Sequence, residues 1–133
     1  MPHLTIEYSG NLENRVDVST LVQALHDAAL ATGIFPEKGL RTRCAPRNAY
    51  RIADGHPDNA FIHVVIRIGS GRDISTRRRA GDTIFAALLE ATHEDQDRCP
   101  LALSLEIQEI DPELSWKKNN LAEWMSARSE ESR

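Results

Sequence analysis

The sequence predicts an α+β domain of two layers, in which two β-α-β units share one four-stranded sheet with both helices on one face. Three observations predict it. Stretches of period two and period 3.6 follow one another in the order strand–helix–strand, and that order occurs twice. The two copies start about 59 positions apart, setting Pro2 against Phe61 and Gly10 against Gly69. The chain of 133 residues suits one core, whereas either half alone would bury little. It reads as a single domain over 1–133, with internal repeats at about 2–58 and 60–110 and a tail at 111–133.

In chain order, Leu4, Ile6 and Tyr8 alternate with Thr5 and Glu7, a half-buried strand that Gly10 ends. Val18, Leu21, Val22, Leu25, Ala28 and Ala29 recur at helical spacing, with Asp17 or Ser19 to cap the start and Gly33 to stop the helix. Beyond Pro36, Leu40, Thr42 and Cys44 alternate with Arg41 and Arg43, which puts both arginines on one face of a second strand. Residues 46–59 are rich in turn formers and read as a loop. Phe61–Ile68 is a strongly apolar strand and Gly69-Ser70-Gly71 its turn. Asp73 caps a helix carrying Ile74, Ile84, Phe85, Leu88 and Leu89, and Leu101, Leu103, Leu105 and Ile107 alternate as the fourth strand. The tail holds Trp116 and Trp124 and ends in a polar run expected to fray. A helical crossover makes the two strands of each unit parallel neighbours.

Composition narrows the function. Hydrophobic residues at 41% and charged residues at 27% fit a globular protein. No apolar run approaches the ~20 residues that cross a bilayer, and the N-terminus lacks the pattern of a secretory signal, so the expectation is a cytoplasmic protein without a membrane partner. Two cysteines without a Cys/His cluster give neither a disulfide framework nor a zinc site, and no metal is expected. The formal charge is −4, yet 41–79 carries nine arginines against only Asp54, Asp58 and Asp73. Arginine presents a planar fork that matches a carboxylate in two parallel hydrogen bonds. Aromatic residues at 5% leave no basic run interleaved with stacking rings, so a small polyanion fits better than nucleic acid. Arg77, Arg78 and Arg79 read as a solvated helix face, whereas Arg41, Arg43 and Arg72 stand at strand and turn positions suited to a ligand.

Pro2 is the candidate catalytic group. Initiator methionine is commonly removed ahead of proline, and the secondary amine so freed starts near pKa ~8. Burial and neighbouring guanidinium groups both disfavour the ammonium form, which makes a base at neutral pH. Among weaker signals, His3 and His63 read as strand histidines that each donate a hydrogen bond, and Cys44 as a core thiol.

The segments PHLTIEYS at 2–9, ATGIFPEKGLRTR at 31–43, ADGHPDNAFIHVVIRIGSGR at 53–72, LALSLEIQEI at 101–110 and WKKNN at 116–120 keep order and spacing over nearly the whole chain. They resemble the tautomerase superfamily, of macrophage migration inhibitory factor-like fold, and within it the 5-carboxymethyl-2-hydroxymuconate isomerases of homoprotocatechuate (4-hydroxyphenylacetate) degradation. The resemblance implies a cofactor-free isomerase that converts a tricarboxylate dienol to its 2-oxo isomer. In it the amino-terminal proline, Pro2, shuttles the proton, and Arg72 of the GSGR turn and Arg41 or Arg43 of the second strand hold carboxylates and the enolate oxygen. Phe61 stands where a second proline would be, so one site per chain follows. The other readings are a tautomerase for another 2-oxo acid enol, such as phenylpyruvate, and a non-catalytic trimeric anion-binding module.

A homotrimer is expected on two grounds. The resemblance implies one. The sequence pattern suggests one as well, since Leu4, Ile6, Val64, Ile66, Leu103 and Leu105 look too many to face the helices together, leaving an apolar sheet face for other subunits to cover. The two tryptophans of the tail are expected to pack on a neighbouring subunit.

Overall fold

The computed structural model describes residues 1–131. Its strands are β1 (His3–Ser9), β2 (Arg41–Arg47), β3 (Ala60–Gly69) and β4 (Leu101–Ile110); its helices are α1 (Val18–Ala31), α2 (Ile74–Ala91), α3 (His93–Arg98) and α4 (Leu121–Glu131). Short 3₁₀ turns occupy Gly10–Asn14, Glu37–Gly39 and Pro112–Leu114. The sheet order is β2-β1-β3-β4, with both outer pairs parallel and the central pair antiparallel. Adding 59 to His3 and subtracting 59 from its partner Arg67 gives Ile62 and Tyr8, which are themselves paired in the same ladder. The 59-residue offset in the sequence is thus a two-fold relation about the β1/β3 pair.

Alternation determines which way the sheet faces. Leu4, Ile66 and Ile107 form one cross-strand row, Ile6, Val64 and Leu105 the next, and Tyr8, Ile62 and Leu103 a third. All three rows face the helices. There they meet Leu21, Leu25 and Ala29 of α1 and Ala80, Ile84 and Leu88 of α2, every one of them buried. Burial of side chains this size contributes roughly 1.5–3 kcal/mol each, which makes these rows the main source of stability. Asp17 accepts hydrogen bonds from the Ser19 and Thr20 amides at the start of α1, and Asp73 does so from Thr76 at the start of α2. Gly33, at φ +71°, turns the chain away after α1.

Four expectations are corrected. The six aliphatic residues thought too many for the helix face all lie on it. The opposite face is mostly polar, in rows Arg41–His3–Arg67–Gln108, Arg43–Thr5–Val65–Glu106 and Ala45–Glu7–His63–Ser104. The loop begins after Arg47, because Pro46 and Arg47 still pair with Tyr8 and Ser9 and Arg47 bonds Glu7 at 2.8 Å. A short helix, α3, precedes β4, and it carries Asp95, whose carboxylate takes two hydrogen bonds from Arg15, at 2.6 and 2.9 Å. The polar end of the tail is helical through Glu131, started by the Asn119 side chain, which accepts from the Leu121 amide at 2.8 Å. Ser132 and Arg133, the last residues of the run expected to fray, lie outside the described residues.

Candidate active site

The site lies where β1 and β2 begin and β3 ends. Pro2 is buried, and its carbonyl accepts from the Arg41 amide at 3.2 Å, one step before the parallel β1/β2 ladder. Gly39 backs it closely, since a Cβ there would stand 3.5 Å from Pro2 Cδ. Met1 extends the chain outward from Pro2. Its amine is held below its ordinary pKa of 8.0, first by burial and then by the positive charges of Lys117, Arg41 and Arg72. An amine at this end of the chain is therefore biased toward the free base.

Three arginines were expected here, and the structure gathers two of them around the chain start. Arg41 donates from Nη2 to Met1 Sδ at 3.1 Å, and its Nη1 lies 3.5 Å from His3 Nε2. Arg72 reaches the same region from the turn after β3. Its guanidinium sits over the Phe35 ring, 5.5 Å from the centroid, and donates to the carbonyls of Gly69 at 3.3 Å and Ile34 at 3.4 Å. Arg43 lies one row farther along the sheet, is exposed, and donates to His3 Nδ1 at 3.1 Å. Arg15, Arg47 and Arg77 are paired with Asp95, Glu7 and Glu109. Among the described residues, Arg41, Arg43 and Arg72 have no carboxylate within ion-pair distance, so their charge is available to an anionic ligand.

His3 departs from its sequence reading. Guanidinium groups only donate, so the imidazole accepts from Arg43 instead of donating. Burial first, then Arg43, Arg41, the chain terminus and Arg67, push its pKa below 6.5, so it is neutral at physiological pH. His63 contacts Ser104 Oγ at 2.6 Å on the open face. Cys44 is a core thiol as expected, its pKa pushed up to about 11 by burial.

Beside the chain start is a cavity of about 270 Å³, walled by Met1, His3, Gly69, Pro112, Trp116 and Lys117. A larger and shallower groove of about 970 Å³ at the start of α1 contains Tyr8, Glu13, Arg15 and Asp17. It suits an anion poorly, because two carboxylates line it and Arg15 is committed to Asp95. The contributions of Phe35, Trp116 and Lys117 were not anticipated. They come from the turn before β2 and from the tail, and only the spelling ATGIFP and WKKNN hinted at them. Tyr50, in the loop that follows β2, sits at the opposite end of the sheet.

The family model for 5-carboxymethyl-2-hydroxymuconate isomerase matches residues 2–125. This chain belongs to the 5-carboxymethyl-2-hydroxymuconate isomerase family. The match takes in Pro2, the three arginines and the WKKNN segment, and leaves Met1 outside. A 5-carboxymethyl-2-hydroxymuconate Delta-isomerase of Escherichia coli is 38% identical over 128 residues, covering 91% of this chain and 96% of that one. The crystal structure of a 5-carboxymethyl-2-hydroxymuconate isomerase from Deinococcus radiodurans R1 has a TM-score of 0.84 at 38% identity, covering 92% and 93% of the two chains. More distantly, a fused 4-OT wild type symmetric trimer shares the fold at TM-score 0.66 and 16% identity, over 89% of this chain and 92% of its own. The α+β architecture with two helices on one sheet face is thus the tautomerase fold seen in these isomerase structures.

Proposed function

We propose that this enzyme isomerises 5-carboxymethyl-2-hydroxymuconate to its 2-oxo isomer, with Pro2 as acid and base and no cofactor. The observation that carries the reading is the convergence on one chain terminus of a buried proline and two guanidinium groups without carboxylate partners. Removal of Met1 frees the Pro2 nitrogen in the surroundings that already depress the Met1 amine. The free amine accepts the proton of the 2-hydroxyl group as the enolate forms. The resulting ammonium returns that proton to a distant carbon of the conjugated chain, so the enzyme ends unchanged and the substrate becomes a ketone. Arg41 and Arg72 hold carboxylates and place fixed positive charge where negative charge develops on the oxygen; a preorganised donor of this kind contributes ~2.7–4 kcal/mol. The subunit works as part of a homotrimer on a small polycarboxylate, a reading supported by the symmetric trimer of the fused 4-OT relative and by the exposed apolar tail.

The test couples mass spectrometry of the intact protein with loss of the dienol absorbance. Protein that begins at Pro2 is expected to be active, and protein that keeps Met1 is expected to be inactive, because its Pro2 nitrogen is an amide. Equal activity of both forms would remove Pro2 from the mechanism. A processed protein inert toward this dienol but active on phenylpyruvate enol would move the substrate within the superfamily. Binding of polycarboxylates without turnover of either would leave an anion-binding module.

A further inference from the structure

The WKKNN segment is absorbed by no part of the reaction, yet the fold brings it to the site. Asp111 caps the turn that starts the segment, its side chain accepting from the Glu113 amide at 2.9 Å. Asn119 fixes the far end, donating to the Lys38 carbonyl at 2.9 Å and lying 3.3 Å from Met1 Sδ. Lys38 belongs to the same Glu37–Gly39 turn whose glycine backs Pro2. Residues 112–119 thereby form a strap past the chain start, continuing from β4 at one end and held by Asn119 at the other.

We propose that Lys117, in this strap two residues before Asn119, is a third carboxylate-binding cation, and that it selects a substrate with three carboxylates over one with two. The inference rests on the isomerase reading above and deepens it. Three observations carry it. Lys117 lines the same cavity as Met1, His3 and Gly69. Among the described residues it has no carboxylate at ion-pair distance. After burial, it is also the group that most depresses the terminal amine, ahead of Arg41 and Arg72, which places its charge beside theirs. Three cations from three separate segments therefore converge on one terminus, matching three carboxylates. The division of labour follows from their chemistry. Arg41 and Arg72 are held by neighbouring groups and present planar forks, suited to carboxylates fixed on a conjugated chain. Lysine is a compact charge on a flexible stem, suited to a pendant carboxymethyl arm that swings about its methylene.

The experiment compares steady-state kinetics on 5-carboxymethyl-2-hydroxymuconate and on 2-hydroxymuconate, which lacks the arm, for wild type, Lys117→Ala, Lys117→Arg and Lys118→Ala. One lost charged contact of this kind corresponds to about a tenfold change in KM. Measured at a pH above 8.0, where the amine is free base in every variant, Lys117→Ala is expected to raise KM by that factor for the tricarboxylate, leaving kcat and the dicarboxylate KM nearly unchanged. Lys117→Arg should retain most of the affinity, and Lys118→Ala should match wild type. Equal losses on both substrates, or no loss on either, would overturn the proposal. Wild type inert on both substrates would instead refute the isomerase reading. Calorimetric binding of tricarballylate against glutarate then decides about Lys117: a preference for tricarballylate that disappears in Lys117→Ala supports the assignment, and a preference that is absent in wild type or persists in the variant overturns it.

Discussion

As the proposed acid and base, Pro2 requires a low pKa and a fixed position, and different residues supply them. Gly39 and the Arg41 amide fix its ring and carbonyl. Burial and the cations lower the basicity of an amine at this terminus. The consequence for pH is direct. A depressed amine remains unprotonated to lower pH, so kcat/KM should rise with pH through an apparent pKa below 8.0. Arg72→Gln removes one of the depressing charges and should move that limb upward, while lowering kcat by about 10²–10³-fold through loss of charge at the enolate oxygen. A limb that stays in place with kcat unchanged would take Arg72 out of the site. Pro2→Ala, measured on methionine-processed protein, should lose about 10²-fold or more of the rate, because the amine is then primary and less confined. At this scale the sequence was partly legible. Local signals put Pro2 at the chain start, Arg41 and Arg43 together on one strand face and Arg72 after a glycine turn, but strand phase could not tell that Arg41 lies beside the terminus and Arg43 one row farther. The acceptor role of His3 and the ring beneath Arg72 arise from contacts through space, and no spacing rule carries that information.

At the scale of elements, local patterns located the four strands and the two long helices because each had a clean period, and each helix also had a capping residue. Short helices lacked such a signal. α3 is six residues of mostly charged sequence, HEDQDR, held by its tertiary partner and not by an apolar stripe. That partner is Arg15, which donates to Asp95 and also to the carbonyls of Asp58 and Pro100, at 2.8 and 3.0 Å. One side chain thus ties the start of α1, the 48–59 loop and the entry to β4 together, at the end of the sheet away from Pro2. Side-chain exposures of 16% for Arg15 and 6% for Asp95 make this a nearly buried pair. Removing one partner of such a pair leaves an uncompensated charge and costs about 3–5 kcal/mol. Asp95→Ala should therefore lower the denaturation midpoint markedly in thermal or urea unfolding, while the folded fraction retains wild-type kcat. A loss of kcat with unaltered stability would mean that the two ends of the sheet are coupled.

For the whole molecule, the apolar-face argument for a trimer failed for a specific reason. The run from Phe61 to Ile68 seemed apolar on both faces, but its outward positions are Phe61, His63, Val65 and Arg67, only two of which are apolar. The physical case for association lies elsewhere. β2 and β4 are both open edges with unpaired backbone groups, a liability that a neighbouring strand removes. The tail also exposes Leu114, Trp116, Leu121 and Trp124, with Trp116 86% and Trp124 56% accessible, an unusual outlay of large apolar surface for an isolated chain. Tryptophans in such positions are frequent anchors of interfaces, each costing about 2 kcal/mol or more when truncated. The expected assembly has three copies of the 14.9 kDa chain, the tail of each clasped to a neighbour. Light scattering at micromolar concentration should give three times the chain mass, and the double change Trp116→Ser and Trp124→Ser should shift the mass toward that of one chain. A wild-type protein that stays monomeric and fully active would refute the assembly, and a trimer indifferent to both tryptophans would place the contact on the strand edges and the polar face instead.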